Sequence, residues 1–165
     1  MTAASSASWY DPMSAVDAAC ELCARPGGEL LFQDERLRVV LVDDADYPGF
    51  CRVTWCAHAR EMTDLSRPER AHLMEAVFTL ESAVRRAMSP DKINLASLGN
   101  MTPHLHWHVI PRYADDAHFP GAVWAVRQPK TQQEADANLQ SRARRQALLP
   151  TLRAEIIRQF SSTQE

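Results

Sequence analysis

No apolar run in this chain approaches the roughly 20 residues that a membrane-spanning helix needs, so a membrane protein of helical type is not expected. Surplus positive charge is also lacking. Eighteen Lys and Arg against 21 Asp and Glu leave a formal net charge of −3, which provides no basic field for a nucleic acid polymer. The first dozen residues, Met1 to Pro12, have neither the basic start nor the apolar stretch of a signal peptide. Rich in Ala and Ser, they are expected to form a loose tail, and the expected compartment is the cytoplasm. Cysteine is sparse, with four residues, and a disulfide framework is not expected in a cytoplasmic chain. No internal repeat is evident. What remains is one modest domain: 165 residues, 45% of them apolar, suffice for a single core.

Within that frame one segment stands out, Pro103-His104-Leu105-His106-Trp107-His108-Val109-Ile110-Pro111. Strict alternation of polar and apolar residues marks a half-buried β-strand. Its three imidazoles are expected on one face, with Leu105, Trp107 and Val109 anchoring the other. Half of the chain's six histidines fall in these five positions. Three neighbouring imidazoles suit proton transfer, nucleophilic attack or metal binding better than they suit a plain surface. A zinc site built from all three is a rival reading, and the flanking residues decide against it.

The surrounding pattern predicts a hairpin of Glu29–Gln33 and Arg36–Asp43 turning at Asp34-Glu35, and a shorter strand over Arg52–Trp55. Ser66 and Glu69 form a capping box with Pro68 in the first turn. Leu73, Ala76, Val77, Leu80 and Val84 then follow at helical spacing to about Met88. Strands are predicted at Ile93–Leu98 and Leu105–Ile110. Beyond Pro129 the chain turns polar and helical, interrupted at Pro150. There Ala147, Leu148, Leu152, Ile156, Ile157 and Phe160 can pack on the body or on a second subunit.

The stretch Asn94-Leu95-Ala96-Ser97-Leu98-Gly99-Asn100-Met101-Thr102-Pro103, running into the histidines and then Pro111-Arg112, resembles the histidine triad family of nucleotidyl hydrolases and transferases. That family's signature, His-φ-His-φ-His-φ-φ with φ apolar, is matched without a gap. The resemblance spans about Cys20 to Trp124 and leans toward the bacterial diadenosine-polyphosphate-hydrolase-like branch. It implies an α+β fold: about five antiparallel strands with one long helix packed on them, here followed by a helical C-terminal extension. The expected division is 1–12 tail, 13–128 triad domain and 129–165 extension. A homodimer is expected on the same ground.

By this resemblance His106 is the nucleophile toward an α-phosphate, its second ring nitrogen held by a nearby backbone carbonyl. His108 contacts phosphate oxygens, and Asn100 stands where relatives reach the phosphate with an amide. Met101 stands where some relatives carry a Ser that assists the leaving group. Thr102 follows, but would face away if the strand begins early. Asp43 is expected to accept the ribose hydroxyls, or to be a turn residue with Asp44 and Asp46. Phe32 and Val42 are expected to wall the base pocket, or to be plain core. The substrate is thus expected to be a dinucleoside polyphosphate or related adenine nucleotide. A nucleotidyltransferase or phosphorylase using the same intermediate, and a non-enzymatic nucleotide-binding regulator, are the alternatives.

Cysteine spacing adds a second expectation. Cys20-Glu21-Leu22-Cys23 is half a zinc site, and no second Cys-x-x-Cys completes it. His58 aligns with a histidine that zinc-bearing relatives use. With His104 it would make a closed structural set of Cys20, Cys23, His58 and His104; a pair of metal-free thiols is the alternative. Cys51 and Cys56 read as ordinary buried thiols. His72 is expected to be solvated on the helix surface. His118 lies in a loop ending at Val123-Trp124-Ala125 that can border the leaving-group side. Arg112 is either a phosphate attractor or an exposed strand-end charge.

Overall fold

A computed structural model describes residues 16–162; the expected tail over Met1–Pro12 lies outside the described residues. A one-turn helix, α1 (Glu21–Ala24), precedes a hairpin of β1 (Glu29–Gln33) and β2 (Leu37–Leu41). Then come β3 (Cys51–Trp55), a 3-10 turn at Met62–Asp64, the long α2 (Arg67–Met88), β4 (Lys92–Ala96) and β5 (His106–Arg112). Two helices, α3 (Gln132–Gln146) and α4 (Leu149–Ser162), close the chain. The five strands form one sheet in the order β1-β2-β3-β5-β4, every neighbouring pair antiparallel. The α+β architecture and the helical extension are therefore those expected from the sequence. No helix among the described residues is long and apolar enough to cross a membrane.

Local chemistry sets the boundaries. Asp34 Oδ1 accepts the backbone N–H groups of Arg36 and Leu37, both at 2.7 Å, which fixes the β1–β2 turn. Asp44 Oδ1 does the same for Asp46 and Tyr47, so β2 stops short of Asp43. At α2 the Ser66 N–H donates to the Glu69 carboxylate at 2.8 Å, and Ser89 ends the helix in the left-handed region at φ 48°. β5 runs two residues beyond its expected end, through Pro111. The proline is tolerated because pairing with β3 ends at Cys51–Val109, leaving only β4 alongside. Pro150 does not interrupt a helix: it lies in the first turn of α4, where its missing N–H has no intrahelical partner to lose.

Residues paired directly across the ladders share a face. Leu37, Val39, Leu41, Cys51, Val53, Trp55 and Val109 form the core face, covered by Leu73, Val77, Leu80 and Val84 of α2. Burying each such side chain contributes about 1.5–3 kcal/mol. The helical extension packs on the body, with Leu152, Ile156 and Phe160 buried against the same core, while Ala147, Leu148 and Ile157 are exposed. Arg153 holds Glu29 of β1 through a bidentate pair at 2.7–3.0 Å. The opposite face of the sheet carries Arg38, Val40, Arg52, Thr54, His106 and His108, and the functional chemistry lies there.

Candidate active site and metal centre

His106 and His108 project from β5 beside Thr54 and Arg52 of β3. His106 Nδ1 lies 2.5 Å from the carbonyl oxygen of His104, which can only accept, so Nδ1 carries the proton and Nε2 the lone pair. Nε2 of His106 is 3.1 Å from Nε2 of His108, where the His108 N–H donates to it. Burial, followed by the proximity of His106 and Arg52, drives the His108 pKa down to about 3, so this ring is neutral at pH 7. Burial lowers the His106 pKa as well; the hydrogen bond to His104 opposes it and Arg52 adds to it. The result is a neutral imidazole with a fixed tautomer and a directed lone pair. His108 sits between Phe50 and Trp124, each with its ring centroid 5.3 Å away.

His106 opens onto a cavity of about 600 Å³ bounded by Glu21, Leu22, Gly27, Gly28, Arg52 and Thr102. Thr102 faces this cavity because β5 begins only at His106 and the preceding residues form a loop. The early strand start that would have turned Thr102 away is thus not met, and Met101 points to solvent. Asn100 lies on the same loop, exposed, without a hydrogen bond to either imidazole. Val42 continues the alternation of Arg38 and Val40 and packs against the cluster of Tyr47, Phe50 and Ile110. Asp43 is exposed and borders a separate cavity with Glu29, Gln146 and Arg153, which contains no triad histidine. Phe32 takes the second of its two expected places, the core. A bulge between Leu30 and Phe32 turns it to the core face, where its ring meets Phe160 at 4.8 Å.

Several side chains have duties other than those expected. Arg112 is neither a phosphate attractor nor an exposed charge. It is buried, donates to Asp116 at 2.7 and 3.0 Å, and also binds Asn94 and the carbonyl of Gly121. His118 bonds to the Tyr47 hydroxyl. His72 is exposed on the surface of α2, as expected, with its Nε2 2.9 Å from Asp34. Cys51 is fully buried and its thiol pKa is pushed up to about 12 by that burial. Sequence reasoning passed over Arg52, which reads as an ordinary charged position on a strand until the register places it beside His108.

Cys20, Cys23, His58 and His104 come together at the N-terminal side of the triad, their donor atoms all within 4.8 Å of one another. His104 Nδ1 lies 3.4 Å from Cys20 Sγ and 3.5 Å from Cys23 Sγ, and His58 Nδ1 lies 3.4 Å from Cys23 Sγ. A tetrahedral zinc-type centre, with bonds of about 2.3 Å to sulfur and about 2.0 Å to nitrogen, has S···N edges of about 3.5 Å. The donor set therefore fits such an ion. Its outer contacts fit as well: the other ring nitrogen of His104 donates to the Trp55 carbonyl at 2.7 Å, leaving Nδ1 free to ligate. His104 thus turns its ring to this cluster and only its carbonyl to His106.

A HIT domain model matches residues 27–115, more than half of the chain. The chain belongs to the histidine triad (HIT) family. A histidine triad protein from Bradyrhizobium japonicum is 30% identical, with 71% of this chain and 90% of that one covered at a TM-score of 0.55. One from Marinobacter aquaeolei is 29% identical, covering 80% and 95% at a TM-score of 0.58. A zinc-bound family member from Mycobacterium smegmatis shares the fold at 20% identity, covering 87% and 97% at a TM-score of 0.57. No curated protein matches the chain.

Proposed function

We propose that this HIT protein is a nucleotide hydrolase of the diadenosine-polyphosphate type, cleaving at an α-phosphate through a nucleotidyl-histidine intermediate on His106. The observation that carries this reading is the fixed tautomer of His106, whose Nε2 carries the lone pair, held by the His108 N–H, and whose ring borders an open cavity. An arriving phosphate takes the His108 N–H that otherwise caps Nε2, and so frees the nucleophile. Nε2 then attacks phosphorus, and the P–O bond to the departing group breaks with its electron pair. Water next attacks the same phosphorus and the P–N bond breaks. The nucleoside monophosphate leaves, the neutral imidazole is restored, and one proton passes to solvent. The neutral His108 donates to phosphoryl oxygens as their charge grows, and Thr102 is the hydroxyl available on the leaving-group side. Asn100 would join them only by a movement of its loop toward the phosphate.

The Cys20, Cys23, His58 and His104 set is read as a structural zinc site. Four protein donors leave no open position for catalysis, so the ion would serve to tie α1, one wall of the cavity, to the loop before β5. A homodimer and a cytoplasmic location go with this reading.

The test is AMP release from a panel of dinucleoside polyphosphates and adenosine phosphoramidate, comparing the intact protein with His106→Ala. Turnover that depends on His106 supports the proposal. Equal release by both proteins overturns it, as does inactivity of the intact protein on every member. Acceleration by inorganic phosphate, with release of a nucleoside diphosphate, would instead mark a phosphorylase.

A further inference from the structure

Three arginines lie within the strands, on the same face of the sheet as the catalytic imidazoles: Arg38, Arg52 and Arg112. Two of them are fully engaged. Arg38 donates to the carbonyls of Leu22, Arg25 and Pro26 and so closes the end of α1. Arg112 is neutralised by Asp116 and bonded further to Asn94 and Gly121. Arg52 differs. Among the described residues no carboxylate lies within ion-pair distance of it, its Nε is buried without a hydrogen-bond partner, and one terminal nitrogen makes a long contact of 3.5 Å with the Gly27 carbonyl. A guanidinium carries five N–H donors in a fixed fork suited to phosphate. Glu21, on the wall of the same cavity, acts on it only through space and makes no ion pair with it, so withdrawing the guanidinium from water stays costly unless an anion arrives.

Its surroundings keep the space open. Arg52 lines the same cavity as His106 and stands directly across the ladder from His108. Gly27, at φ +82°, forms the opposite rim, and a Cβ there would come within 2.9 Å of the Arg52 guanidinium. The rim is thus shaped to let that side chain reach into the cavity.

We propose that Arg52 is the anion-binding residue of the His106 cavity, taking phosphoryl oxygens of the substrate while His106 attacks. This deepens the hydrolase reading above and rests on it. Arg52 supplies the cationic charge that two neutral imidazoles cannot, and it directs the cavity toward phosphorylated rather than uncharged nucleosides.

The experiment measures binding of AMP and of adenosine to the full-length protein by calorimetry, with Arg52→Leu, Arg52→Lys and Gly27→Ala alongside. The intact protein should prefer AMP. Arg52→Leu should weaken AMP binding about tenfold to a hundredfold, the range for losing a charge-assisted hydrogen bond, and leave adenosine unchanged. Arg52→Lys should recover part of the loss, and Gly27→Ala should imitate it more weakly. Thermal stability separates this from a structural role: removing an unpaired, half-buried cation should leave the melting temperature of Arg52→Leu unchanged or raised. An AMP preference undiminished in Arg52→Leu overturns the proposal, as does no such preference in the intact protein. The hydrolase reading is decided separately, by His106-dependent AMP release. Turnover with unchanged kcat and KM in Arg52→Leu would leave that reading standing and this one refuted.

Discussion

Replacing Asp116 by Asn should be among the most damaging single changes outside the triad. Both partners of the Arg112–Asp116 pair are only 2% exposed, and the carboxylate receives two guanidinium N–H groups at 2.7 and 3.0 Å. It also accepts the backbone N–H groups of His118 at 2.9 Å and Phe119 at 2.7 Å. Asn keeps the shape and one acceptor but leaves Arg112 as an uncompensated buried cation, which costs about 3–5 kcal/mol. For a chain of this length each kcal/mol moves Tm by about 2–4 °C, so Tm should fall by roughly 6–20 °C. Urea denaturation followed by tryptophan fluorescence gives the free energy directly.

The pH dependence supplies a second check on the same variant. Burial pushes the Asp116 carboxyl upward, but hydrogen bonds from Arg112, His118 and Tyr113 outweigh it and hold the pKa below the usual carboxylate value. A depressed acid contributes stability above its unfolded pKa of about 3.9 and loses it as pH falls through the lower folded value. The penalty of Asp116→Asn should therefore be constant from pH 5 to 8 and shrink only in stronger acid. A loss under about 1 kcal/mol at pH 7, the range of an exposed pair, would refute the argument.

Other outcomes follow from the same structure. The His108 imidazole should show no NMR titration between pH 5 and 8, because its pKa is driven down to about 3. Since the unfolded chain takes up that proton below about pH 6.5 while the folded one does not, stability should decline from there toward acid; His108→Gln should flatten the slope. Phe160→Ala should cost about 3–5 kcal/mol in chemical denaturation, because Phe160 is buried against Phe32 and anchors α4. Elemental analysis should find one zinc per chain, reduced sharply in Cys20→Ser/Cys23→Ser, with a chelator lowering Tm of the intact protein but not of that variant.

Much of this was legible because the signals are local. The alternation from His104 to Val109, the Ser66–Glu69 box and the helical spacing from Leu73 to Val84 each follow from a few adjacent residues. In the Cys20, Cys23, His58 and His104 cluster only the Cys-x-x-Cys half was legible from spacing; the family resemblance joined His58 and His104 to it. What was left open or passed over depends on distant register. Phe32 shares the parity of Leu30, and only the bulge between them moves it to the other face. Arg112 reads as a strand-end charge until Asp116 folds back beneath it. Arg52 becomes conspicuous only after β3 is aligned with β5, which sets it across from His108 with its Nε buried and without a hydrogen-bond partner.

His104 is a hinge between two duties that use different atoms. Its ring faces the cysteines, while its carbonyl fixes the tautomer of His106. Every amino acid brings that carbonyl with it. The side chain at 104 can therefore be exchanged, and the metal-type cluster dismantled, without removing the acceptor that aims the nucleophile. Anchorage and reactivity are separable here at a single position. For protein engineering, that makes residue 104 a place where the Cys/His cluster can be altered by changing one side chain and compensating its packing, with the reactive atom left as it is.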